Sequence, residues 1–566
     1  MGCSAGDRLF RSGCRVGFGG WALPMAALAA CVAVGAPSRL HAASPPSAEQ
    51  LAPSAARIEA DVRFLADDLL EGREAGTRGF DLAALYVATR YRQLRLEPAG
   101  DAGTYFQRVP MLRGVRERDG ARFAITRDGR VTEFAFEEEF LPGINFTQGA
   151  AEVAAPLVFV GQAVRAPELQ HDDLAGVDVK GKIVVLLSNA PARFPADQRA
   201  FYASGAEKLR ELERLGAVGA IFLDDPVNDK KRPWALDAPN WRRPGMRRLD
   251  PQGRPVDDFP KLAARVSCSV KLADAIFAGS PHTAAEVFAM LEAGQLRSFD
   301  LAGTATLATR ARLERVESHN VVARLPGSDA ALSAEHVVFT AHLDHIGIGA
   351  PHAGDSIYNG AQDNAVGVAT MLETAQLLAA GPARPKRSSL FIALTAEEKG
   401  LLGAFHFAAQ PTVPAASLVA NINMDMPLLL AEVSDVIPIG IEHSTLEAVA
   451  RRAVAEAGLT LTPDPFPEEV VFVRSDQYAF VRQGVPAVYL NSGVKPRDGS
   501  DGGKAFTGWL SHHYHLPSDD LAQPIPWQAA ARLAYVNYRI GLAIGNDRKR
   551  PAWKPGDFFG GKFGRR

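Results

Sequence analysis

The stretch HVVFTAHLD, residues 336–344, decides the fold. Its 336–341 portion is apolar apart from its ends, so a strand formed there has no polar face to offer water. Working outward, 365–380 has helical character, 390–395 reads as a second strand, 401–410 as a helix, 418–424 as a third strand and 485–490 as a fourth. Strands that alternate with helices, and are apolar nearly throughout, belong to an α/β sheet that is mostly parallel and covered by helices on both faces. Ligands of such sheets collect beyond the carboxyl ends of the strands. His342, Asp344, Glu397, Glu398 and Asp425 stand there.

Together with Asp363 and His515, these residues include the two imidazoles, three carboxylates and spare carboxylate that two neighbouring zinc ions and a base require, with one acid left over. Zinc takes His nitrogen and Asp/Glu oxygen in roughly tetrahedral sites, and a hydrolytic site leaves a position open for water. Two metals can share that water and stabilise both ends of a tetrahedral intermediate. Taken singly, a histidine beside a strand is usually a satisfied core residue, and glutamates at a helix N-terminus are common because the helix dipole favours them. Five motifs in one order reverse that weighting. The charges also balance: two zinc ions carry +4, and three ligand carboxylates with a hydroxide carry −4.

The motifs are AHLDHIG (341–347), NGAQDNAVGVA (359–369), LTAEEKGLLGA (394–404), NINMDM (421–426), RSDQYAF (474–480) and YHLPSDD (514–520), with FLADDLLEGREAGTRG (64–79) upstream. In this order they resemble the co-catalytic di-zinc aminopeptidases, a family that includes bacterial leucyl aminopeptidases and, more distantly, glutamate carboxypeptidase. The resemblance implies a zinc exopeptidase fold and two zinc ions per chain. It implies Asp363 as the bridging ligand, followed by a cis peptide bond, with His342 and Asp425 completing one site and Glu398 and His515 the other. Glu397 becomes the general base, taking a proton from a bridging metal-bound hydroxide's parent water. Asp344, two residues past His342, is placed to orient that imidazole or the bridging acid. Tyr514 can donate to an oxyanion. Asp476 and Arg474 are candidates for substrate binding. His345, His352, His512 and His513 lie near ligands in sequence, but their spacing leaves them outside the metal shell.

The implied activity is removal of N-terminal residues from peptides. A carboxypeptidase or dipeptidase of the same fold is the first alternative, because metal motifs do not set specificity. A non-catalytic, receptor-like relative is the second.

At 566 residues the chain exceeds one hydrophobic core, so more than one domain is expected. A net charge of −2 offers no global attraction to nucleic acid. Arg8, Arg11 and Arg15 precede an apolar stretch over 21–36 and small residues through Ala43, the layout of a signal peptide over 1–43 with a spacer over 44–54. The expected location is therefore periplasmic or secreted. LAAC (28–31) raises the alternative of a lipid anchor at Cys31 and a membrane-tethered lipoprotein. No other apolar run is long enough to span a bilayer. Cleavage after Ala42 leaves Cys268 as the single thiol, so no intrachain bridge is expected.

Residues 55–108 read as N-terminal helices of the catalytic domain, which resumes over 316–545. Between them 150–285 changes texture, and DVKGKIVVL (178–186) followed by a helix and LGAVGAIFL (215–223) resembles an inserted protease-associated domain. Residues 226–260, rich in Pro, Arg and Asp, read as a long exposed loop near the site mouth. The tail over 547–566 carries seven Lys/Arg against two Asp and reads as basic and disordered.

Overall fold

The computed structural model describes residues 53–382 and 384–565. The signal segment, Cys31 and nearly all of the spacer lie outside the described residues. Helix α1 (Ala55–Leu65) begins at Ser54, whose hydroxyl accepts from Arg57 N. It buries Ile58, Val62 and Leu65, the positions its 3.6-residue period puts on one face. Helix α2 (Arg78–Gln93) starts in the same way from Thr77. Strand β1 (Phe106–Arg116) follows.

A second sheet then begins. It contains β2 (Arg122–Arg127), β3 (Ala150–Phe159), β4 (Ile183–Leu187), β5 (Gly219–Leu223) and β6 (Ala264–Cys268). Helix α3 (Gly205–Leu215) packs between β4 and β5 in sequence. The 27-residue β7 (Phe299–Leu325) serves both sheets. Its first half pairs with β2 and β3, and its second half with β1. The inserted sheet therefore draws on residues from 122 to 310 and reaches past both expected boundaries, 150 and 285. The reason is that its outer strands lie on the same chain segments that return to the catalytic sheet.

The catalytic sheet has β8 (His336–His342) at its centre. Helix α4 (Val366–Ala380) leads to β9 (Ser388–Leu394), helix α5 (Leu402–Ala409) to β10 (Leu418–Asn423), and β11 (Asp435–Ile439) precedes β12 (Ala487–Ser492). Strand β8 pairs in parallel with β9 and β10, and β10 with β12. Antiparallel β7 and β11 flank this parallel core. All seven residues of β8 are buried. Val337, Phe339 and Ala341 enter the core shared with α1, α2, α4 and α6 (Trp527–Asn546), whereas Val338 enters the core on the other face. Two buried faces account for the unbroken apolar run.

Two expectations fail here. The 226–260 segment is not simply exposed loop: it forms short helices and a strand, Gly245–Arg248, paired with β1, and Trp241 and Met246 are buried. The tail is not disordered. Helix α7 (Phe558–Phe563) is capped by Asp557, and Phe559 is fully buried against Phe472 and His443. Trp553 donates to Gly484 O and Asp557 pairs with His443. Burying one such phenylalanine contributes about 1.5–3 kcal/mol, and most of the surrounding lysines and arginines remain exposed to water. Among the described residues, no helix is long and apolar enough to cross a membrane.

Arg73 ties the N-terminal segment to the catalytic strands. Its buried guanidinium donates to Leu343 O at 3.0 Å, Asn359 O at 2.5 Å and Gly360 O at 3.1 Å, and also to Leu65 O. It therefore joins the end of β8 to the loop that carries Asp363. Replacing it as Arg73→Met leaves those carbonyls unpaired and should lower unfolding stability by about 3–5 kcal/mol, the scale for removing one member of a buried ionic arrangement. Urea denaturation checks this, and an unshifted midpoint would contradict the clamp.

Candidate metal centre

His342 is the last residue of β8, Glu397 and Glu398 follow β9, and Asp425 follows β10. Parallel pairing brings these strand ends side by side. Asp363 comes from the turn ahead of α4, and its peptide bond to Asn364 is cis, as the resemblance implied. Gly360, at φ +61°, lets that turn pass: a Cβ there would lie 2.2 Å from Asp363 O and 2.5 Å from His345 Cγ.

The five expected ligands converge, and Asp363 is central. His342 Nε2 lies 3.2 Å from Asp363 Oδ1 and 3.0 Å from Asp425 Oδ1. His515 Nε2 lies 3.3 Å from Asp363 Oδ2 and 3.2 Å from Glu398 Oε2. The two oxygens of one carboxylate thus face two separate donor sets. Tetrahedral zinc with bonds of about 2.0–2.1 Å holds neighbouring donors about 3.3 Å apart, and the observed spacings suit that geometry.

His345, expected to stand apart, is in the cluster. It is fully buried, and its Nδ1 is 2.7 Å from Glu398 Oε1 and 3.9 Å from Asp363 Oδ2. Neither ring nitrogen, nor Glu398 Oε1, has a hydrogen-bond partner. The groupings His342–Asp363–Asp425 and His345–Asp363–Glu398 each bring one donor atom per residue within 4.8 Å of the others. Buried donor atoms that no protein group satisfies are what a metal-binding site leaves behind, so the residues present fit a pair of divalent metals. The remaining near neighbours behave as expected: His352 and His512 are exposed, and His513 bonds Ser518.

The carboxylate of Asp344 does not orient His342 or Asp363. It accepts from the backbone amides of Glu397 and Glu398, at 3.0 and 3.3 Å, while its own carbonyl faces His342 Nδ1 at 3.0 Å. The turn after β9 presents those amides toward β8, and that is the nearer partner. Asp363 is held instead by Asp519, a residue of the motif YHLPSDD that carries no local signal of this role. Asp519 accepts from Gln362 N at 2.8 Å and Asp363 N at 3.0 Å. Asn364 adds a brace, donating to Met424 O and accepting from Met426 N.

Tyr514 stacks on His515, with ring centroids 3.8 Å apart. Burial raises its phenol well above the ordinary value, and the carboxylates of Asp363, Glu398 and Glu397 add to this against the pull of Arg474. The hydroxyl therefore remains a donor. Asp476 is fully buried behind the cluster with both oxygens unpartnered, which removes it from the substrate surface. Arg474 is half exposed and donates to Glu469 O.

The cluster's electrostatics call for positive charge. Burial opposes a charged His342, yet Asp425 and Glu397 overcome it and raise its pKa well above the usual range. His515 is pushed up to about 9, Glu398 and Asp363 outweighing burial. Burial drives Glu397 well above an ordinary carboxylic acid, with Asp425, Glu398 and Asp476 reinforcing the shift.

Residues 320–540 match the model of Peptidase family M28. Among solved structures, the aminopeptidase from Aneurinibacillus sp. strain AM-1 aligns with 92% of this chain and 99% of its own at 19% identity, with a TM-score of 0.52. BSAP, a zinc aminopeptidase from Bacillus subtilis, aligns with 88% of this chain and 97% of its own at 18% identity and a TM-score of 0.43. A peptidase M28 precursor from Shewanella amazonensis SB2B covers 90% of this chain and 96% of its own at 17% identity and 0.45. At these identities the first likeness is one of fold.

Metal binding requires neutral imidazoles. With His515 titrating near 9 and His342 also raised, a metal entering near neutral pH displaces protons. Apparent zinc affinity of the stripped protein should therefore fall about tenfold per pH unit for each proton displaced as the pH drops from 8 to 6. Equilibrium zinc titrations at several pH values measure this, and a pH-independent affinity would contradict it.

Proposed function

We propose that the chain is a peptidase of family M28 and, more narrowly, a zinc-dependent aminopeptidase holding two ions. The observation that carries this reading is the division of Asp363: Oδ1 faces His342, beside Asp425, and Oδ2 faces His515, beside Glu398. When bound, two zinc ions polarise the scissile carbonyl and activate water. His342, Asp363 and Asp425 would hold one ion, and Asp363, Glu398 and His515 the other.

Glu397 acts as the base. Its raised pKa brings a carboxylate toward the operating range in which it can both take a proton and return it to the leaving amine. Asp344 fixes the backbone of Glu397 and Glu398 through their amides, so base and ligand keep their relative positions. Tyr514 presents a neutral hydroxyl beside His515 to the developing oxyanion. Met426, Leu430, Phe466, Phe506 and Leu510 cluster with Tyr514 and form an apolar wall, which suits an apolar N-terminal side chain. The aminopeptidase assignment also draws on the Aneurinibacillus aminopeptidase of the same fold.

We read the inserted sheet as a protease-associated domain and the N-terminal segment as an export signal, which places the enzyme in the periplasm or outside the cell. A lipid anchor at Cys31 is the alternative outcome of the same segment.

Glu397→Gln keeps the shape of the side chain but cannot accept a proton. Turnover should fall at least about 100-fold, the scale of general-base loss, with zinc content unchanged. Near-normal turnover would remove Glu397 from the mechanism. A peptide with a free amine should be cleaved and its N-acetylated twin spared; equal rates on the two would rule out the aminopeptidase assignment in favour of another peptidase activity.

A further inference from the structure

One buried imidazole of the metal centre takes no part in the proposed chemistry. His345 is fully buried, three residues past the end of β8, and its backbone amide donates to Arg73 O at 3.3 Å. Its ring is set by packing. Gly360 supplies the room on one side, because a Cβ there would lie 2.5 Å from the ring's Cγ and 2.6 Å from its Cδ2. The ring of His515 stands edge-on to it, with centroids 5.9 Å apart.

Among the described residues neither ring nitrogen of His345 has a hydrogen-bond partner, although Nδ1 is only 2.7 Å from Glu398 Oε1. Oε1 has no partner either. So close an approach fails as a hydrogen bond only when the oxygen lies off the line of the ring N–H. Two buried donor atoms that crowd together without pointing at each other need a third group to satisfy them both. Asp363 Oδ2 lies 3.9 Å from the same Nδ1, and His515 Nε2 is 3.3 Å from that oxygen and 3.2 Å from Glu398 Oε2. Donors on one zinc ion, each about 2.0–2.1 Å from it, stand no more than about 4 Å apart. All of these spacings qualify.

We propose that His345 is also a metal ligand, binding through Nδ1 the ion that Glu398 and His515 hold. The proposal rests on the two-metal reading of the centre, and it makes the two sites unequal. Asp363, Glu398, His515 and His345 serve one ion, whereas only His342, Asp363 and Asp425 serve the other. Zinc sites with four protein donors are closed, and sites with three keep a position for water or substrate. The His345 site is then the one that fills first, and the His342 site keeps the open position.

The test is a crystal structure of the zinc-loaded full chain, joined to zinc titrations of two variants. His345 Nδ1 should stand about 2.0–2.1 Å from an ion. In His345→Ser the tighter of the two dissociation constants should rise more than about 100-fold, beyond the 10–100-fold typical of a residue that merely steadies a ligand. His345→Gln, which can still donate to Glu398 Oε1, should bind zinc no better than His345→Ser. Two bound ions with Nδ1 more than about 3 Å from both would overturn the proposal and leave the two-metal reading intact. So would wild-type zinc affinity in His345→Gln, which would reduce His345 to a hydrogen-bond donor. A wild type that takes up fewer than two ions would overturn the reading beneath, and the proposal with it.

Discussion

The structure depends on one crowded carboxylate. Asp363 is buried, its two oxygens are shared between imidazoles on opposite sides, and Glu398 and Asp425 press against those same imidazoles. Negative charge in so little space is stable only when positive charge sits among it. The raised pKa values of His342 and His515 are one expression of that demand. Divalent cations would be another, and the donor spacing suits them. Glu397 stands beside the same field, and burial with its carboxylate neighbours holds its pKa well above that of an ordinary carboxylic acid.

The fold is organised around holding this charge in position. Parallel strands β8, β9 and β10 deliver His342, the glutamate pair and Asp425 to one edge. Three further groups, none of them facing the reacting atoms, set the details. Arg73 reaches in from the N-terminal segment and grips the carbonyls of Leu343, Asn359 and Gly360. Asp519 accepts the amide of Asp363, and Asp344 accepts those of Glu397 and Glu398. Asp363 and Glu398 are thus positioned by buried polar contacts to their own backbone amides, and the chain beside His342 and Asp363 by Arg73.

What was legible in the sequence follows from where the physics is local. Buried parallel strands are apolar throughout, so β8, β9, β10 and β12 and the ligands at their ends could be read directly. Long-range contacts could not. Nothing local distinguishes His345 from His352, yet one is buried against Glu398 and the other is exposed. The partner of the Asp344 carboxylate lies 53 residues away, and that of Asp519 lies 156 residues away. The tail's charge points to disorder, but its aromatic residues decide its structure: Phe559 seats in the core. Strand β7 carries no clear sequence signal, because its exposed and buried residues alternate irregularly as it passes from one sheet to the other.

The central claim is that Asp363 bridges two metal ions. Anomalous diffraction from crystals of the zinc-loaded protein, collected on both sides of the zinc absorption edge, tests it most directly. The account predicts two peaks about 3.5–4 Å apart, the separation of co-catalytic pairs, one against His342 and Asp425 and the other against Glu398 and His515, with Asp363 between them. A single peak, or a pair in which Asp363 touches only one ion, would contradict it.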